Sequence, residues 1–353
     1  MFDVVKLLGN VFHPQAGERL VVVADHPHGT IPDDPLWEER RQMASEWREA
    51  LAANGDAWGI DVGPLVTYPA VGAHNGNLPL DAGDPVPLGR ALADASICVA
   101  LSEFSPTAPM VDWSKNHPDF RCATLPGVAR RTESTALAAD YAEVARRCQI
   151  LKDRLDAAHS ADVRFSTGHE WHVDLRYRPA LMDDGQLPRD KEGRVINLPS
   201  GESFLVPYEG EREGEASRTE GEIPVLDGDR AHIYSVSENR IVGVGGDGAD
   251  TMNAYFAEDP ARANIAEFAF GCNPDAVVWG NVLEDEKAGF HWAYGRSEHL
   301  DGTVGPGAFK GPETIVHQDI VYARECPIQV ASVVLSGDAG DVEVIREGEY
   351  TLF

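Results

Sequence analysis

The sequence has 353 residues, 43% of them apolar, and carries 58 acidic residues against 30 lysines and arginines, giving a net charge of −28. This length can bury a sizeable core and is typical of about two domains of roughly 150 residues each. The acidic balance excludes nucleic acid as an expected partner, because no basic stripe offsets it. No run approaches the ~18 apolar residues of a membrane helix, and no signal-peptide pattern is present, so we expect a cytoplasmic protein with no membrane partner.

Strand and helix patterns alternate along residues 1–165. The expected strands cover 20–24, 58–68, 97–101 and 121–125, and the expected helices cover 35–54, 88–95 and 135–160. Alternation of this kind predicts an α/β domain with a mainly parallel sheet. The domain contains neither a G-x-G-x-x-G turn nor a Walker sequence, so we do not expect nucleotide binding.

The pattern changes in the second half of the chain. Residues 166–353 contain short β-like runs separated by Gly, Pro, Asp and Glu turns, with one helical stretch near residues 250–256. We therefore predict an α/β domain at 1–165 and a β-rich, metal-binding catalytic domain at 166–353.

Histidines and carboxylates of the second half predict a metal site. His317 and Asp319 lie in a run rich in β-branched residues, and the period of a strand sends both side chains to one face. Glu267 stands in an apolar segment, where an unpaired charge would be costly unless a metal compensated it. His291 supplies a second imidazole. Carboxylates and imidazoles without cysteine favour divalent ions over a structural tetrahedral zinc.

Four segments in this order resemble the thermophilic leucyl aminopeptidase family, the aminopeptidase T and S metallopeptidases. They are Asn-Leu-Pro-Ser-Gly-Glu at 197–202, Ala-Glu-Phe-Ala-Phe-Gly-Cys-Asn-Pro at 266–274, Asp-Glu-Lys-Ala-Gly-Phe-His-Trp-Ala-Tyr-Gly at 285–295, and His-Gln-Asp at 317–319. The resemblance covers about 195–322 well and the N-terminal half only in its α/β plan.

The resemblance implies a dimetal-dependent hydrolase that cleaves an amide or peptide bond in a small molecule or short peptide through metal-activated water. The positions that match the family's ligands of two divalent ions (zinc, cobalt, manganese or magnesium) are Glu202, Glu267, His291, His317 and Asp319. Glu202 and Glu267 would also be catalytic. The family fold further implies a homodimer around an enclosed cavity. Which carboxylate bridges the ions stays open.

One position departs from the family. Glu298 stands where the family often has a tyrosine that assists the oxyanion, and a carboxylate would repel such a charge. The metals, His299 or Tyr294 are the alternatives for that role. We expect substrate contacts from His172, Trp292, Tyr294 and Glu298, with packing as the alternative for the two aromatic residues and a polar role at the domain junction for His172.

A second enzyme class resembles this chain in length and in its final His-x-Asp, namely the iron-dependent 2,5-dihydroxypyridine dioxygenases. A single Fe(II) held by His291, His317 and Asp319 would act on a hydroxylated pyridine or catechol-like substrate. Those enzymes have histidine at the position of Glu267 and no carboxylate at that of Glu202. Because this chain retains both carboxylates, the two-metal hydrolase is favoured.

Overall fold

The computed structural model describes residues 2–191, 194–228 and 230–353, which form two compact units. The first unit combines residues 1–145, 183–200 and 273–284, and the second combines 146–182, 201–272 and 285–353. Each unit is therefore assembled from separate segments of the chain. A compact unit of this kind does not define where an independently folding domain ends, so the boundary between 165 and 166 stays a prediction.

The helices and strands have the following bounds. The α-helices are α1 (Val4–Phe12), α2 (Pro35–Trp58), α3 (Leu88–Ala93), α4 (Thr107–Lys115), α5 (Tyr141–Asp156), α6 (Ala249–Glu258) and α7 (Val282–Asp285). The strands are β1 (Arg19–His26), β2 (Asp61–Val62), β3 (Val66–Pro69), β4 (Ile97–Ser102), β5 (Arg121–Pro126), β6 (Ala158–Phe165), β7 (Glu170–Asp174), β8 (Leu181–Asp183), β9 (Val195–Asn197), β10 (Glu202–Leu205), β11 (Glu220–Asp227), β12 (Arg230–Ser237), β13 (Arg240–Gly246), β14 (Ile265–Gly271), β15 (Phe290–Gly295), β16 (His317–Tyr322), β17 (Val330–Gly337), β18 (Gly340–Arg346) and β19 (Glu349–Tyr350).

The first unit contains a parallel sheet in the order β2-β1-β4-β5-β9, with β3 also paired to β1. Its central strands β1 and β4 are apolar almost throughout and buried, as expected for a parallel sheet that is covered on both faces. Val21, Val23, Cys98, Ala100 and Cys122 form part of one core with the helices around them. The prediction of an α/β fold with a mainly parallel sheet is confirmed.

The second unit contains two antiparallel sheets. The small sheet has the order β16-β15-β14-β10-β8, and the large sheet has the order β13-β12-β11-β7-β6-β17-β18-β19. Aromatic side chains join the two sheets, since the ring of Trp171 on the large sheet lies 5.8 Å from that of Phe268 and 5.9 Å from that of Trp292 on the small sheet. The prediction that this half is β-rich is confirmed.

The long helix predicted at 135–160 is wrong at both ends. The side chain of Asp140 accepts a hydrogen bond from the backbone N–H of Ala142, and α5 starts only at Tyr141. At the other end, the buried Ala161, Val163 and Phe165 alternate with exposed residues, and this period of two forms β6. None of the helices among the described residues combines the length and apolar character needed to cross a membrane.

Candidate metal centre

Adjacent strands of the small sheet carry the predicted metal ligands. β10 begins with one of them, β14 and β15 each contribute one, and β16 contributes two: Glu202, Glu267, His291, His317 and Asp319. The first three are buried and the two on β16 are half-buried. The cluster is therefore most exposed at β16, the edge strand of this sheet.

Strand register places these side chains on one face. Residues paired directly across antiparallel strands point to the same face, and so do residues two apart on one strand. Glu267 pairs with Ala293, and Ala293 pairs with Asp319. His291 stands two residues from Ala293, and His317 stands two residues from Asp319. The predicted shared face of His317 and Asp319 thus extends across three strands.

Small residues separate the ligand candidates on this face. Gly271 pairs with Glu202, and Ala269 pairs with His291. Ala293 on β15 lies between Glu267 on β14 and Asp319 on β16. Larger side chains at Ala269 and Ala293 would fill this face, and at Gly271 a Cβ would collide with the backbone of residues 286–289. The sheet therefore leaves room for the polar groups to converge.

The converging side chains form two groups that could hold a metal ion, each with ligand atoms within 4.8 Å of one another. In the first group, His291 Nε2 lies 3.1 Å from Glu202 Oε2 and 3.8 Å from Glu267 Oε1. In the second group, His317 Nε2 lies 3.0 Å from Glu267 Oε2 and 3.5 Å from Asp319 Oδ1. Glu267 belongs to both groups, with one oxygen turned toward each histidine.

Backbone carbonyls orient the two imidazole rings. Nδ1 of His291 lies 3.2 Å from the carbonyl oxygen of Gly289, and Nδ1 of His317 lies 2.7 Å from that of Arg296. Each Nδ1–H donates to its carbonyl, so each Nε2 faces the carboxylates. Histidines that bind metals are commonly held in this way by a partner on the other ring nitrogen.

The charges in the cluster shift each other's pKa values. Burial lowers the pKa of His291, but Glu202, Glu267 and Asp319 outweigh this effect and raise it to about 9. Burial likewise lowers the pKa of His317, but Asp319 and Glu267 raise it well above its usual value. Burial raises the pKa of Glu267 despite the two histidines. Without a metal, protons on the imidazoles supply the positive charge that the carboxylates require.

The residues present fit divalent ions. Glu202 Oε2 and His291 Nε2 are buried and lie 3.1 Å apart, and neither makes a well-aligned hydrogen bond within the described residues. Buried polar atoms in proteins are normally satisfied, so a pair that faces one another in this way suits a shared cation. Three carboxylates and two imidazoles are the donors that magnesium, manganese, cobalt and zinc accept.

A buried lysine borders the cluster, and the sequence interpretation did not include it. Lys287 is 1% exposed and donates a 2.7 Å hydrogen bond to Glu202 Oε1, and it also pairs with Glu286. Burial raises the pKa of Glu286 to about 8, against the lowering effect of Lys287. A lysine between two glycine- and aromatic-rich segments of an acidic, lysine-poor chain was the available sequence signal. Its partner Glu202 lies 85 residues away, which no local pattern predicts.

The structure places the two aromatic candidates on the opposite face of β15. Trp292 and Tyr294 alternate with His291 along the strand, so they point away from the cluster. The ring of Trp292 lies 6.1 Å from that of Tyr234, and the ring of Tyr294 lies 5.2 Å from that of Phe256. This environment is aromatic packing between the sheets, and a role for these residues as substrate contacts stays a prediction.

Glu298 lies on a short 3-10 turn, Glu298–Leu300, beside the exposed edge of the cluster. Its side chain is 52% exposed and forms a 2.7 Å ion pair with Arg296, which lowers its pKa. The neighbouring His299 lies edge-on against His317, with ring centroids 4.8 Å apart. Partial burial and the charge of His317 lower the pKa of His299 to about 4, so this imidazole is neutral at pH 7.

His172 lies on β7 of the large sheet, apart from the cluster. Its Nδ1 is 2.8 Å from Asp162 Oδ1, and both residues line a groove of about 690 Å³ on that sheet. Residues of the large sheet line this groove, and the candidate ligands do not. Contact between His172 and a substrate stays a prediction.

Asp174, at the end of β7, lies at the centre of a buried charge cluster in the second unit. This cluster is expected to contribute to the stability of that unit. Arg176 donates to both of its carboxylate oxygens, at 2.8 and 2.7 Å, and the backbone N–H of Arg218 donates at 3.0 Å. Burial raises the pKa of Asp174, but these donors outweigh that effect and lower it below its usual 3.8. Its stabilising contribution is therefore present above pH 3.8 and is lost as the pH falls through the lowered value.

An Asp174→Asn variant should lose about 1.5–3 kcal/mol of the free energy of unfolding at pH 7, the usual value of hydrogen bonds to a charged group. The difference from wild type should shrink as the pH falls below about 3.8, where the carboxylate of the unfolded chain takes up a proton, and it should vanish once the pH passes the lowered pKa of the folded state. Urea denaturation at pH 7 and pH 3 measures both. Asp338→Asn, at a side chain that is 96% exposed, is the control and should change little. Equal stability of wild type and Asp174→Asn at pH 7 would contradict the prediction.

Comparisons with known proteins show the fold. No protein-family model matches the chain, and no curated protein matches it. Among solved structures, 2,5-dihydroxypyridine dioxygenase from Pseudomonas putida matches with a TM-score of 0.63 and 18% identity, covering 99% of this chain and 96% of that one. AmpT from Thermus thermophilus matches with a TM-score of 0.59 and 16% identity, covering 99% and 98%. The chain therefore shares its fold with both proteins, and at these identities the fold does not choose between their functions.

Proposed function

We propose that this protein is a dimetal-dependent hydrolase that cleaves an amide bond in a small substrate with a free amino terminus, such as a short peptide. The position of Glu267 is the observation that carries the proposal. Its two oxygens face different histidines, and it is the member common to both groups of potential ligands. A carboxylate in this position is the natural bridge between two ions.

Each side chain has a role under this proposal. Glu202 and His291 would hold one ion, His317 and Asp319 would hold the other, and Glu267 would join them. When bound, the ions would polarise the scissile carbonyl and make water a nucleophile at neutral pH. His299, neutral beside His317, is the group that we assign to hydrogen-bond the substrate at the exposed edge. Glu298 cannot take this role, because its carboxylate would repel the negative charge that develops on the substrate.

The alternative is a ring-cleaving dioxygenase with one Fe(II) held by His291, His317 and Asp319. Such a triad requires both imidazoles and the carboxylate to converge on one point. In the part of the chain that the structure describes, neither group of potential ligands contains both histidines. They lie instead on either side of Glu267. This arrangement supports two ions rather than one.

Metal content and a substrate panel test the proposal. We expect about two equivalents of zinc, cobalt or manganese per chain by elemental analysis, and hydrolysis of aminoacyl amides or dipeptides that depends on the metal. Glu202→Gln should keep about one equivalent and lose most activity, because an amide is a poor ligand for these ions. Glu170→Gln, at an exposed position on the large sheet, is the matched control and should retain two equivalents of metal and the activity.

One equivalent of iron, together with oxygen consumption on a hydroxylated pyridine, would overturn the hydrolase and support the dioxygenase. Full turnover of aminoacyl substrates by Glu202→Gln would also contradict the two-metal assignment. Hydrolysis by metal-free protein would remove the metal from the mechanism altogether.

A further inference from the structure

The group formed by Glu202, Glu267 and His291 has a fixed positive charge beside it. Lys287 is 1% exposed, and its ammonium donates to Glu202 Oε1 at 2.7 Å. The other oxygen of Glu202 faces His291 at 3.1 Å. Lys287 thus occupies one of the two oxygens of Glu202 and leaves Oε2 as the only oxygen that faces the metal position.

The group formed by Glu267, His317 and Asp319 has no such neighbour. Within the described residues, Glu267 and Asp319 form ion pairs with histidines only. Lys287, by contrast, places an ammonium within hydrogen-bond reach of Glu202. The two groups therefore differ in the cation beside them although they share Glu267.

We propose that Lys287 makes the two metal positions unequal, so that the position at Glu267, His317 and Asp319 binds its ion first and tightly. The position at Glu202, Glu267 and His291 then binds second and more weakly. This inference rests on the proposed two-metal site. It predicts a protein that holds one ion firmly and exchanges the other.

Electrostatics decides the direction of the effect. Repulsion between a divalent ion and an ammonium is twice that between two single charges at the same distance, and burial leaves it poorly screened. Lys287 also orients Glu202, and losing such a contact commonly weakens metal binding about 10–100-fold. Glu202 is already placed by its position at the start of β10 and by His291. We therefore expect the repulsion to be the larger effect.

Calorimetric titration of metal-free protein with Co²⁺ tests the proposal. Wild type should show two steps whose dissociation constants differ by at least about 10-fold, and Lys287→Met should tighten the weaker step by at least about 10-fold while leaving the tighter step within about threefold. Lys287→Arg keeps the charge and should keep the split. Lys191→Met removes a lysine that is paired with Asp184 in the first unit, and it should titrate as wild type does.

Further variants assign each titration step to one metal position and provide an alternative if Lys287→Met does not fold. Asp319→Asn should remove the tight step and Glu202→Gln the weak one. If Lys287→Met does not fold, Lys287→Gln removes the same charge, keeps a polar side chain, and should tighten the weak step in the same way. Two equal steps in wild type, or a weaker second step after loss of Lys287, would overturn the inference and leave the two-metal function intact. Fewer than two ions bound by wild type would overturn the proposed function itself.

Discussion

A Glu267→Gln variant is expected to lose both metal ions and to lower amide hydrolysis by more than about 100-fold. Residues that only support a ligand commonly account for a factor of about 10–100 in affinity or activity, and Glu267 would be a ligand of both ions. Glutamine keeps the shape of the side chain but removes the charge, and its amide nitrogen cannot bind a metal. The elemental content and kcat/KM of the purified variant measure the two effects.

The comparison with Glu202→Gln makes this result specific to a bridge. Of the two candidate histidine ligands, Glu202 faces only His291, whereas Glu267 faces both His291 and His317, so the first variant should lose one ion and the second should lose both. Glu222→Gln, with a side chain 56% exposed on the large sheet, controls for loss of a carboxylate elsewhere. Thermal unfolding of the metal-free forms shows whether the fold survives. If Glu267→Gln retains one tightly bound ion and full activity, Glu267 does not bridge.

Local pattern predicted much of the fold and failed where tertiary contacts decided an element's ends. Pro35 in the first turn and an apolar stripe marked α2 correctly, although the helix continues to Trp58. The alanine-rich run before Tyr141 also resembles a helix in composition. There the Asp140 cap fixes the start, and the segment after Asp156 pairs with β7 and β17 instead. Strand pairing over such distances has no local signature.

The candidate site shows the same division between local and long-range information. The period of a strand alone puts His317 and Asp319 on one face, and the structure extends that face to Glu267 and His291. The same period sends Trp292 to the face opposite His291, where its ring lies among other aromatic rings. The contact between Lys287 and Glu202 was not predictable, because it depends on the pairing of β10 with β14 and of β14 with β15.

A Trp292→Ala variant is expected to lower the free energy of unfolding by about 3–5 kcal/mol, the usual cost of removing a buried large aromatic side chain. Trp292 is fully buried, and its ring lies within about 6 Å of the rings of Trp171, Tyr234 and Tyr294. Truncation would leave a cavity between the two sheets of the second unit. Urea denaturation of the metal-free protein measures the loss without a contribution from bound ions.

Trp292 leaves β15 on the face opposite the candidate ligands. Its effect on the free energy of unfolding can therefore be measured apart from any effect on metal binding. Below its unfolding transition, Trp292→Ala should bind the same number of metal ions as wild type, because His291 and Trp292 leave opposite faces of β15. Trp113→Ala, at a partly buried tryptophan stacked on His117 in the first unit, should cost less stability and also leave metal content unchanged. An unchanged free energy of unfolding with a raised KM would instead make Trp292 a substrate contact. The sheet face assigned to packing would then have to reach the substrate.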